Sequence, residues 1–217
     1  GDQGRCLSDD PDRVVVLAGV FNEGLRSWGV TGCTKHFPGL GPVPADTHAD
    51  LPLLELEATE IDRHLSVFSE LSLEIPIVMV AHVIVPGLGD SERPASLSRS
   101  IVEQAGNLPG SPIVLADDIE MGALEKWGDL PDRVVAAIHA RNHGVLICNA
   151  VDRLGEVMDH LTELEGSDST LGSRLTEMAA RMGTLRRDLL QRAAAVPAPD
   201  DETVEQLWER ARKEAAS

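Results

Sequence analysis

Ile113-Val114-Leu115-Ala116-Asp117-Asp118 is an apolar run that passes without a break into two carboxylates. A short continuous apolar run, with no polar alternation, suits a strand buried on both faces, and burial on both faces belongs to parallel sheets. The pattern recurs. Val30 to Thr34 ends at Lys35-His36, Ile75 to Ala81 ends at His82, and a run from Val145 ends at Asn149. Between these runs the periodicity changes to that of helices. Asp10-Pro11 reads as an N-cap followed by proline at the first helical position, and Val14, Leu17, Ala18, Phe21 and Leu25 then repeat at helical spacing up to Gly29. Ile61, Leu65, Phe68 and Leu71 mark a second helix, and further helical segments span Leu97 to Gln104, Glu120 to Trp127 and Pro131 to Arg141. Strands alternating with helices predict an α/β fold with four parallel strands.

From Val151 the tail reads as helical. Leu171, Leu175, Met178, Met182, Leu185 and Leu189 form a heptad seam too short for an independent coiled coil, so it is read as intrachain packing. The prolines between Ala194 and Asp201 make a turn before a last charged helix. No internal repeat and no marked boundary divides the chain. Residues 1–150 are read as the α/β unit and 151–217 as a helical tail on the same domain.

The chain has 217 residues, with 19 Lys+Arg against 36 Asp+Glu, and a net charge of −17. That balance argues against nucleic acid or an anionic membrane surface as the main partner. No apolar run reaches the ~18 residues of a spanning helix, which gives a cytoplasmic expectation with no membrane partner. Cys6, Cys33 and Cys148 cannot all pair; Cys33 and Cys148 lie in apolar runs and are expected to be buried free thiols.

Chemistry-bearing residues gather where the strands end. Lys35-His36, His82, Asp117-Asp118 and Asn149 each terminate an apolar run, and the carboxyl ends of parallel strands are where ligands bind in such folds. Asp46-Thr47-His48 sets a carboxylate two residues before an imidazole, able to orient the ring for acid–base work near neutral pH. Asp117 could equally cap the following helix, with Asp118 also available, and Lys35-His36 could be a simple ion pair. His139 and His143 stand four apart, but no acidic third ligand accompanies them, and a solvated helix face is expected. No metal and no cofactor is assigned.

Taken together, Gly4-Arg5, Ser8-Asp9-Asp10-Pro11, Lys35-His36-Phe37-Pro38-Gly39, Asp46-Thr47-His48-Ala49-Asp50-Leu51-Pro52, Met79-Val80-Ala81-His82-Val83, Pro94-Ala95-Ser96-Leu97-Ser98 and Asp117-Asp118-Ile119-Glu120-Met121-Gly122-Ala123 resemble the N-terminal catalytic domain of glycoside hydrolase family 3. The similarity is greatest to the one-domain bacterial β-N-acetylhexosaminidases that recycle cell-wall muropeptides, and it covers roughly residues 4–150. The resemblance implies Asp117 as the nucleophile of a retaining mechanism and His48 as acid/base with Asp46 its partner. It implies Arg5, Lys35 and His36 as sugar-binding residues, with His82, Asp118 and Asn149 lining the site. Two positions depart from the family pattern. Leu40 stands where histidine is usual, and Ala116 stands where serine or threonine is usual, removing a hydroxyl beside Asp117.

A complete (β/α)₈ barrel takes about 250 residues and eight strands. Four strands here correspond to the second half of a TIM-type barrel plus C-terminal helices, and a second chain or missing segment is expected to complete it, because a half-barrel exposes two sheet edges. The implied activity is a retaining exo-β-N-acetylglucosaminidase acting on an amino-sugar oligosaccharide. The alternatives are an N-acetylglucosaminide phosphorylase and a non-catalytic subunit that keeps the fold.

Overall fold

Four apolar runs become strands where their backbones find neighbours. In the computed structural model, which describes residues 6–40, 51–197 and 200–215, they are β1 (Thr34–Phe37), β2 (Ile77–Val80), β3 (Ile113–Asp118) and β4 (Gly144–Leu146). They pair in chain order and all run parallel. Helix α1 (Pro11–Ser27) precedes β1; α2 (Ala58–Leu71), α3 (Arg99–Gly106) and α4 (Leu130–His139) lie in the crossovers; α5 (Leu154–Glu165), α6 (Ser169–Ala194) and α7 (Asp201–Ala215) follow β4. The segment Gly122–Trp127, read as a helix, is a 3₁₀ helix.

The helix starts follow from local chemistry. Asp10 accepts from the Asp12 amide with Pro11 at the first position, Asp129 and Asp132 form a capping box, and Asp168 accepts from the amides of Thr170 and Leu171. Such caps satisfy helix-end N–H groups that have no partner inside the helix.

Alternation along each strand sorts side chains between two faces. Val78, Val80, Val114 and Ala116 are fully buried on the helix side. Phe37, Phe68, Val80, Ile101 and Val102 belong to one core cluster, over β1 and β2. Ala116, Leu124, Val134, Leu161 and Leu171 belong to a second, over β3 and β4. On the other face Leu115 and Leu146 are half-buried and Lys35 is exposed. Cys33 and Cys148 are exposed, contrary to the expectation of buried thiols. The cause is alternation: a run apolar on both faces does not reveal which residues turn to the helices, and Thr34 rather than Cys33 does.

Two strand limits shift. Val30 donates to Leu25 at the end of α1 rather than to a strand, so β1 begins at Thr34, where pairing with Val78 starts. Pairing of β4 ends at Leu146, before Asn149.

Helix α6 straps the opposite end of the sheet, where the strands begin. Leu171 is fully buried in the second cluster; Arg174 donates to the Asn142 carbonyl just before β4; Arg181 donates to the carbonyls of Ser111 and Pro112 just before β3. Further along, Ala193 approaches Gly29, where a β-carbon would stand 2.7 Å from the Ala193 α-carbon and φ is +73°. Burial along the heptad seam falls from Leu171 to Met182, which is 36% exposed. No described helix is long and apolar enough to cross a membrane.

His143 does not lie on a solvated helix face. Helix α4 ends at His139, Arg141 takes a left-handed φ of 78°, and His143 is carried to the start of β4. There it is buried; its Nδ1 accepts from the Val114 amide at 3.0 Å and its own amide donates to the Val114 carbonyl at 2.7 Å. Burial, with Arg181 and Arg174 beside it, lowers the imidazole pKa from 6.5 to about 4. The unfolded ring takes a proton between those values that the folded ring refuses, so stability is lost as pH falls through that window. His143→Asn keeps an acceptor for the Val114 amide and does not titrate. Its melting temperature is expected to drop less between pH 7 and pH 4.5 than that of the wild type, measured by thermal denaturation; equal drops would contradict the assignment.

Candidate active site

The Lys35-His36-Phe37-Pro38-Gly39 segment is held by its phenylalanine. Phe37 is fully buried and meets Phe68 of α2 edge to face, with ring centroids 5.2 Å apart. Its carbonyl accepts from the Ala81 amide at 2.9 Å, which ties the end of β1 to the end of β2. With Phe37 anchored, Lys35 is exposed and His36 partly buried at the strand end. Gly39 follows with φ +108° and its amide on the His36 carbonyl at 2.7 Å. A β-carbon there would sit 2.6 Å from His64 Nδ1, so both the conformation and the close approach require glycine. Leu40 packs against the first core cluster.

Asp117 occupies an irregularity. Ala116 pairs with Val145 and Asp118 with Leu146, so Asp117 is the extra residue between two paired neighbours. Such bulges re-aim a side chain. Ala116, in turn, is fully buried on the helix side, where a methyl group suits its neighbours. Asp117 Oδ2 lies 3.5 Å from His36 Nε2, with both side chains about one-fifth exposed, and Asp117 Oδ1 accepts from the Asp118 amide at 2.9 Å. Cys33 lies within the electrostatic reach of Lys35 and Asp117. Although exposed, it is partly withdrawn from bulk water by its neighbours, which pushes its thiol up to about 11 against the pull of Lys35 and with a further push from Asp117. A thiol so poised is no nucleophile near neutral pH.

The remaining sequence-derived candidates divide. Asp118 joins the rim, its carboxylate accepting from the Glu120 amide at 3.2 Å. His82 does not line the opening: it is 1% exposed, with both ring nitrogens bonded inside. Asn149 is exposed beyond the paired part of β4. Arg5, Asp46 and His48 lie outside the described residues. Among the described residues no group of His, Cys, Asp and Glu side chains is placed to hold a metal ion.

One residue of this rim escaped the sequence reading. Glu120 accepts from the amides of Asn149 and Ala150 at 2.7 and 2.8 Å, clamping the segment after β4 to the segment after β3. Those two amide bonds, the Asn149 one foremost, hold its carboxyl below the usual range. In sequence Glu120 looks like an ordinary first-turn residue, and no spacing points to partners 29 and 30 positions away.

The family model of the glycosyl hydrolase family 3 N-terminal domain matches residues 1–181. The chain belongs to this family. It is 33% identical over 180 residues to a β-hexosaminidase of Pseudomonas aeruginosa, covering 82% of this chain and 53% of that protein. It is 29% identical over 212 residues to a β-hexosaminidase of Idiomarina loihiensis, covering 96% of this chain and 59% of that one. The chain thus spans a little over half the length of these family 3 relatives. Among solved structures, a family 3 β-N-acetylglucosaminidase from Paenibacillus superposes with a TM-score of 0.74 at 28% identity, covering 87% of this chain and 36% of that one. The α/β architecture is that of the family 3 barrel domain, of which this chain supplies four parallel strands and their helices.

Removing the Glu120 clamp frees two backbone donors. In Glu120→Ala, amide hydrogen exchange at Asn149 and Ala150 is expected to accelerate about tenfold or more, because each amide loses its carboxylate acceptor. Unchanged protection would show that other contacts hold this segment.

Proposed function

We propose that the chain carries the catalytic half of a retaining exo-β-N-acetylglucosaminidase, with Asp117 as nucleophile. The observation that carries this reading is the partly exposed Asp117 carboxylate at the bulged C-terminal end of β3, 3.5 Å from His36. The named activities of the relatives, β-hexosaminidase and family 3 β-N-acetylglucosaminidase, support the same reading.

In this mechanism a terminal N-acetylglucosamine residue sits over Asp117. The sugar hydroxyls meet Lys35, His36 and Arg5. Asp117 attacks the anomeric carbon as the bond to the leaving oxygen breaks, and His48, oriented by Asp46, delivers its proton to that oxygen. Neutral His48 then takes a proton from water, which attacks the anomeric carbon, releases the sugar and frees Asp117.

The leaving group in this reading is a cell-wall saccharide of muropeptide type, met in the cytoplasm. At a net charge of −17, an anionic substrate relies on local cations such as Lys35. The partner is a second chain or further segment that completes the barrel. It is supported by two flanks. Val16, Val20 and Phe21 of α1 are exposed ahead of β1, and Val151, Leu154 and Met158 are exposed after β4. Neither β1 nor β4 has a second strand partner among the described residues. Both flanks match what a neighbouring strand and helix would cover.

Asp117→Ala in the intact protein is expected to lower release of a chromogenic N-acetylglucosaminide by on the order of 10³-fold or more. Retained turnover would remove Asp117 from the mechanism. Added phosphate is expected to leave the wild-type rate unchanged; release of the sugar 1-phosphate would instead mark a phosphorylase.

A further inference from the structure

His82 is the buried imidazole that the proposed mechanism leaves unused. Its Nε2 lies 2.8 Å from the Asp118 carbonyl and its Nδ1 lies 2.7 Å from Ser96 Oγ. A carbonyl can only accept, so the proton is on Nε2 and the Ser96 hydroxyl donates to Nδ1. Burial holds the ring's pKa below its ordinary value, against the opposing pull of the Asp118 carbonyl and of the Asp117 and Asp118 carboxylates, so the ring is neutral.

Ser96 is itself fixed. It is fully buried, its amide donates to the Ala81 carbonyl at 3.1 Å, and its carbonyl accepts from Asn142 Nδ2 at 2.8 Å. Asn142 is fully buried too and spends a second Nδ2 proton on the Ala137 carbonyl at 2.9 Å. The Ser96 hydroxyl donates to His82 and His82 donates to the Asp118 carbonyl, so these two bonds run in a single direction, while Asn142 holds the Ser96 backbone that carries the hydroxyl.

The end of this chain is where the sheet is irregular. Asp117 is the residue that β4 does not pair, so strand pairing alone does not set its direction. What does set it is the peptide that follows. From the β4 side, the Ile119 amide donates to the Leu146 carbonyl at 3.0 Å; from the β2 side, His82 holds the Asp118 carbonyl. We infer that His82, locked by Ser96, is the positioning residue that aims Asp117 at the substrate. This rests on the assignment of Asp117 as nucleophile.

The test uses the intact protein with His82→Leu, His82→Gln and Ser96→Ala. His82→Leu is expected to lower kcat about 100-fold with KM within about threefold, as a ~1 Å displacement of the reacting group would. Glutamine places an amide donor near the Asp118 carbonyl, so His82→Gln is expected to recover at least about tenfold of that loss. Ser96→Ala, which leaves the ring in place without its donor, is expected to lose about tenfold and to lose the pure Nε2–H signature in the imidazole ¹⁵N spectrum; it stands in for His82→Leu if that variant does not fold. A folded His82→Leu with unchanged kcat, or a glutamine variant no better than leucine, overturns the inference. If the wild type does not hydrolyse the N-acetylglucosaminide, the functional reading has failed, and crystal structures decide the positioning role alone. An Asp117 carboxylate displaced in His82→Leu or Ser96→Ala upholds it, and one left in place overturns it.

Discussion

Everything at the rim depends on four strands running the same way. Parallel neighbours must be joined by crossovers, and the crossovers here contain helices, which cover one side of the sheet and leave the other side free of them. Equal direction also gathers the strand ends. His36, Asp117 and Asp118 come from residues far apart in sequence, yet they meet because β1 and β3 finish at one edge with β2 between them. The pairings that carry this are few, and Phe37 against Phe68 is the packing contact that holds the end of β1 in place. Were the Phe37 ring displaced, Lys35 and His36 would lose their fixed relation to Asp117.

The opposite edge of the sheet has a different character. Arg174, Arg181 and the buried Leu171 fasten α6 beneath the starts of β3 and β4, and His143 joins the same edge as a neutral imidazole. Arg174, Arg181 and His143 are charged or titratable, but their hydrogen bonds go to backbone carbonyls, to the Val114 amide and, for Arg174, to the Glu177 carboxylate. Polarity at the strand starts is spent on holding the helix; polarity at the strand ends is left facing the opening. In barrels of this type the same division separates stability from chemistry.

The architecture was legible in the sequence because it rests on periodicity: uninterrupted apolar runs for buried parallel strands, three-to-four spacing for the helices that cover them. Asp117, Lys35 and His36 were legible for the same reason, as polar residues ending apolar runs. What escaped was set by partners distant in the chain. His82 ends an apolar run just as Asp117 does, and its turn inward depends on Ser96 and on the Asp118 carbonyl. Glu120 depends on two amides beyond β4. Cys33 and Cys148 were misread because a run apolar on both faces hides the direction of each side chain, and His143 because the left-handed Arg141 ends the helix first. The side chains of Leu40 and Ala116 pack in the two cores.

The central claim is that Asp117 forms a covalent bond to the sugar. Incubating the intact protein with a fluorinated N-acetylglucosaminyl fluoride, which forms the glycosyl-enzyme faster than it releases it, and digesting the product for peptide mass spectrometry reads that bond directly. The account predicts one added sugar, on the peptide that contains Asp117 and lost in Asp117→Ala. An adduct on another residue, or turnover of the reagent with no adduct at any time, would contradict it.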